Sequence, residues 1–105
     1  MTPDQIRALL KRNVGKRITL ESHKAILSGV IHGVDDQRRN VLVARLHTVP
    51  KGKGQQPYDA PQGHIDRWGT PRQNIEPRRE GGKTVFQWRE QNFGEWYDYK
   101  LTIQI

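Results

Sequence analysis

The chain has 105 residues, enough for one domain with a modest core, and 33% of them are apolar. Eighteen Lys and Arg against eleven Asp and Glu give a net charge of +7, which favours a polyanionic partner. No cysteine is present, which excludes disulfides, thiolate metal sites and a cysteine nucleophile, and no apolar run approaches the ~20 residues of a membrane span.

Residues 2–14 read as a helix. Thr2 caps it, Pro3 suits its first position, and Gln5 completes a T-x-x-Q capping box. Ile6, Leu9, Leu10 and Val14 recur at helical spacing, and Gly15 is a natural stop. From Lys16 the period changes to two. Residues 16–21 alternate with Ile18 and Leu20 on one face, and Ser22-His23-Lys24 turns. Residues 25–34 form a second strand carrying Gly29 and Gly33, whose missing side chains favour bending or close backbone approach. Asp35-Asp36-Gln37-Arg38-Arg39 is a polar turn, and residues 40–48 form a third strand.

Residues 49–82 hold five of the six prolines and six of the ten glycines, with little periodicity. They are expected to be a long exposed loop. Strand character returns at 83–90, with Phe86 and Trp88 on one face, and Asn92-Phe93-Gly94 turns. The last stretch alternates: Tyr97, Tyr99, Leu101, Ile103 and Ile105 on one face, Asp98, Lys100, Thr102 and Gln104 on the other. The expected architecture is one domain over 1–105, all-β with a short N-terminal helix. A five-stranded SH3-like small barrel is built from 16–48 and 83–105, with the long loop between strands three and four.

The central strands resemble the Sm-like family of Sm, LSm and Hfq proteins. Gly29, Ile31, Val34 and Asp35 keep the spacing of the first Sm motif, and Asn40-Val41-Leu42-Val43 looks like its closing Asn and strand. Asn40 follows Asp35 by five residues and Asp36 by four. Asn92-Phe93-Gly94 stands where the second Sm motif would place its Arg-Gly turn, without the Arg. The resemblance implies RNA binding, with Asp36, Gln37, Arg38, Arg39 and Asn40 near a base. It also implies homo-oligomeric rings closed by pairing of edge strands.

The charge is unevenly spread. Residues 1–24 carry six Lys and Arg against two acids, residues 50–83 seven against four, and residues 84–105 two against three. Three basic pairs, Lys11-Arg12, Lys16-Arg17 and Arg38-Arg39, sit at element ends or turns, where they can grip phosphates. The 49–82 stretch mixes Arg67, Arg72, Arg78 and Arg79 with Trp68, a combination suited to stacking unpaired bases beside cations. The other reading is that Trp68 pins the loop against the barrel or a neighbouring subunit.

No catalytic constellation emerges. His23, His32, His47 and His64 are scattered, and Ser22-His23 lacks a nucleophile elbow. Neither Gly52-Lys53-Gly54 nor Gly81-Gly82-Lys83 has phosphate-loop spacing. The expectation is a non-enzymatic protein without metal or cofactor that binds RNA in preference to single-stranded DNA. The alternative is an assembly subunit docking through the aromatic C-terminal strands and the 49–82 stretch. With Met1-Thr2-Pro3-Asp4 lacking a basic stretch and apolar run, a cytoplasmic location and no membrane partner are expected.

Overall fold

The computed structural model describes all 105 residues. Helix α1 spans Pro3–Arg12, and its capping box forms as the sequence predicts. The Gln5 amide donates to Thr2 Oγ1 at 3.2 Å, and the Thr2 amide donates to Gln5 Oε1 at 2.8 Å. Ile6 and Leu10 are buried by it. The helix ends before Val14, because the Asn13 amide closes on Leu10 O and the Asn13 side chain on Leu9 O. Val14 therefore leaves the apolar stripe and is half exposed.

Seven antiparallel strands follow: β1 Arg17–Glu21, β2 Ala25–Asp35, β3 Asn40–Pro50, β4 Tyr58–Ile65, β5 Arg78–Glu80, β6 Lys83–Asn92 and β7 Glu95–Ile103. They form one sheet in the order β4-β3-β2-β1-β7-β6-β5. The five expected strands all form and lie side by side in its centre. The expected closed five-stranded barrel does not: the sheet curls into a half-barrel whose edges are β4 and β5. The exposed loop expected over 49–82 is likewise corrected, since it contributes both edge strands and a 3-10 turn at Arg67–Gly69.

Both edge strands tolerate residues that disfavour central strands. Pro61 in β4 falls opposite Arg45, a position outside the pairing between Ala44↔Gln62 and Leu46↔Ala60, and an edge strand is where proline is tolerated. β5 is only three residues long and returns through Gly81-Gly82, both at positive φ, a two-residue hairpin loop. Short and proline-bearing edges discourage further pairing.

The strand faces alternate as expected. Ile18 and Leu20, Ile31, Val41 and Val43, Ile65, Phe86 and Trp88, and Tyr99, Leu101 and Ile103 form one core with Ile6 and Leu10. Each such side chain contributes about 1.5–3 kcal/mol when fully buried. The curl needs Gly29. A Cβ there would fall 2.4 Å from Val43 Cγ1 and 2.7 Å from the Ala44 carbonyl oxygen, so only glycine lets β3 approach. The pairing slips at this point, between Ser28 and Val30, and Arg45 opposite takes a left-handed φ of 53°.

Two tethers place the remaining chain on this sheet. The helix exit is held to β2 by Gly15 N donating to Ile31 O at 2.8 Å and Ile31 N to Lys16 O at 2.9 Å. The segment after the 3-10 turn is held by the N-terminus. The Met1 ammonium donates to Ile75 O at 2.9 Å and pairs with Glu76 at 2.7 Å, and Ile75 N returns a bond to Met1 O. No helix is long and apolar enough to cross a membrane.

Candidate functional site

The 3-10 turn Arg67–Gly69 stands between an arginine-lined cavity and an aromatic cleft. Asp66 caps it, accepting from the Trp68 amide at 3.0 Å, and the Thr70 hydroxyl donates to Arg67 O at 3.3 Å. Gly69 presses the turn onto the sheet. A Cβ there would lie 2.3 Å from Ile65 Cγ2 and 2.6 Å from Leu20 Cδ2. Arg67 and Trp68 are thereby fixed just above the core.

On one side of the turn lies a small cavity of about 130 Å³ lined by Arg7, Arg39, Arg67 and Arg72, with Pro3, Thr70 and Pro71. No carboxylate lines it. Arg7 comes from α1, Arg39 from the β2–β3 turn, and Arg67 and Arg72 from either end of the 3-10 segment. Arg7 is paired with Asp4 one helical turn away. Arg72 is paired with Glu90 at 3.1 Å, and its guanidinium lies 3.7 Å from the centre of the Trp68 ring. Arg39 and Arg67 have no ion-pair partner. Arg39 also adopts a left-handed φ of 59°, a conformation that disfavours side chains with a Cβ. Arg39 and Arg67, each without a counter-charge, add uncompensated positive charge to the cavity, and a phosphate there would offset it through forked hydrogen bonds.

On the other side lies a larger cleft of about 420 Å³, whose walls include Leu20, Leu27, Trp68, Tyr97 and Tyr99. His23, Lys24, His64, Asp66, Asn92 and Phe93 also line it. His23 stacks on Tyr97 at 4.2 Å, and Tyr99 stacks on Trp88 beneath at 5.2 Å. The Tyr97 hydroxyl donates to Glu95 at 2.7 Å. That hydrogen bond holds its pKa above the ordinary phenol value. Burial raises Tyr99, reinforced by the charges of Glu90 and Asp66. Both phenols are therefore protonated at neutral pH.

Of the basic residues singled out in the sequence, the fold brings Arg39, Arg67 and Arg72 together and sets Trp68 beside them. Lys11 lies nearby on α1 and pairs with Asp36 at 2.5 Å, joining the helix to the β2–β3 turn. Arg38 is exposed in that turn, where its amide donates to Asp35 Oδ1 at 3.3 Å. Asn40 closes the turn opposite Asp35. Arg12, Lys16 and Arg17 are exposed around the helix exit and outside this cavity. Arg78 and Arg79 lie on the β5 edge. There Arg78 donates to Gln87 at 2.7 Å, while Arg79 donates to the Thr84 hydroxyl and to Ile105 O.

Sequence reasoning missed Arg7 and the aromatic cleft. Arg7 sits four residues before Lys11, so both share one helix face, which is a legible signal. Phe93 carried a signal too. It occupies the first position of a two-residue hairpin loop where Asn is favoured.

No family model, curated protein or solved structure matches the chain.

Proposed function

We propose that this protein binds single-stranded nucleic acid, RNA in preference to DNA, and performs no chemistry on it. One observation carries the reading: four arginines from three separate elements converge on one cavity, and two of them lack a carboxylate partner. Such a cavity suits a backbone phosphate. The adjoining Trp68 and its aromatic neighbours suit unstacked bases, which single strands expose and duplexes do not. The resemblance of residues 29–43 to the first Sm motif supports RNA as the preferred strand.

The test is fluorescence anisotropy with labelled single-stranded RNA, single-stranded DNA and duplex DNA across a salt series. Micromolar or tighter binding to RNA is expected, weakening steeply as salt rises. Arg39→Asn and Arg67→Gln change exposed side chains, and Asn tolerates the left-handed φ at 39. Each should lower the slope of log affinity against log salt by about 0.7. Absence of binding at low salt, or an unchanged slope in both variants, overturns the proposal.

A second reading, an assembly subunit, draws on Trp96 and Tyr58, each 56% exposed on a strand. Exposed aromatics of this kind are common anchors of protein interfaces. Substituting Trp96 would then disrupt assembly while Arg39→Asn would not.

A further inference from the structure

We infer that the aromatic cleft is a subsite for one nucleobase of the bound strand, with Phe93 as the ring that closes over it. The inference rests on the nucleic-acid reading of the arginine cavity. The two sites are contiguous: Trp68 lines the cleft, and its ring is in contact with Arg72, which lines the cavity. A strand whose phosphate meets the arginines therefore has a base within reach of the cleft.

The cleft has the make-up of a heterocycle site. Its volume of about 420 Å³ falls within the range of small-ligand pockets. The half-buried rings of Trp68 and Tyr97 offer stacking surface, and Tyr99, buried against Trp88, lies at the floor. Ser22, His64 and Asn92 bring hydrogen-bonding groups to the rim, and Lys24 adds positive charge beside the Asp66 carboxylate, one oxygen of which is engaged by the Trp68 amide. A base with a phosphate attached matches this combination of flat apolar walls and adjoining cations.

Phe93 is the independent observation. It stands at the tip of the β6–β7 hairpin, 98% exposed, with a left-handed φ of 51° followed by Gly94 at 81°. The fold gains no burial from this ring and bears the strain of holding it there. Asn in its place would satisfy the same turn with less strain. A strained, exposed aromatic that lines the mouth of a cleft has its use in the bound state. Stacking Phe93 on an entering base supplies the burial it lacks in the free protein.

The experiment compares two labelled RNA strands of equal phosphate count, one bearing bases and one abasic, against wild type and Phe93→Asn. Wild type should prefer the base-bearing strand by at least roughly 5- to 140-fold, the range expected for stacking one base. Phe93→Asn should lose most of that preference, keep wild-type affinity for the abasic strand, and melt at a higher temperature. Equal binding of the two strands by wild type overturns the base subsite while leaving phosphate binding intact. Full preference retained in Phe93→Asn overturns the role of Phe93. Binding of neither strand at low salt removes the nucleic-acid reading, and this inference with it, and leaves the cleft to a protein partner.

Discussion

Gly69→Ala is the perturbation that links core packing to the arginine cavity. Its φ lies outside the left-handed region, so an alanine there is conformationally acceptable and the effect is steric. The new methyl would lie 2.3 Å from Ile65 Cγ2 and 2.6 Å from Leu20 Cδ2. Ordinary carbon contacts begin near about 3.5 Å, so it overlaps both neighbours by about 1 Å. Both neighbours are buried in the core on separate strands, and relief requires the 3-10 turn to lift. Overpacking of this kind costs about 1–3 kcal/mol. For a domain of this size that lowers the melting temperature by roughly 4–8 °C per kcal/mol. Lifting the turn also displaces Arg67 and Trp68, so RNA affinity should fall along with stability. Gly63→Ala is the control. Its methyl would meet only the Leu46 side chain, whose half-buried end can swing aside, and should cost less than about 1 kcal/mol. Urea unfolding followed by tryptophan fluorescence, together with anisotropy at one fixed salt concentration, measures both effects. A Gly69→Ala protein as stable as wild type, with unchanged affinity, would refute the claim that this contact positions the site.

Three further substitutions test separate parts of the account. The Thr48 hydroxyl is buried without a hydrogen-bond partner, so Thr48→Val should stabilise the fold by about 1 kcal/mol in urea unfolding. A loss of stability would mean that the hydroxyl is satisfied in solution. Phe93→Asn should raise unfolding free energy by about 1 kcal/mol by relieving left-handed strain, and a decrease would show that the ring supports the hairpin. Burial raises the Tyr99 pKa, so the folded state favours the protonated phenol. That contribution is complete below about pH 10, the unfolded value, and is lost as pH rises through the folded value. Tyr99→Phe should thus differ from wild type by a constant amount up to about pH 9 and show a shallower loss above it, read from urea midpoints across the alkaline range.

Much of the β framework was legible residue by residue. The alternation of Tyr97, Tyr99, Leu101 and Ile103 places the last strand, because a half-buried strand presents every second side chain to the core. The T-x-x-Q box marks the helix start, because its hydrogen bonds are local. The two extra strands were harder to read. Pro61 and Gly63 argue against β4, and only its position at a sheet edge, opposite the Arg45 irregularity, makes them acceptable. The hairpin of β5 did have a local signal in Gly81-Gly82, obscured by the surrounding proline- and glycine-rich sequence.

What the sequence determined by itself is whatever depends on neighbours along the chain: the helix cap, the strand alternation, the tight turns and an excess of positive charge. Only the tertiary structure decided where that charge acts. Arg7, Arg39, Arg67 and Arg72 share no periodicity, and they meet because α1, the β2–β3 turn and the Gly69 contact are packed against one curled sheet. Convergence of distant side chains is a property of packing, and no local pattern encodes it.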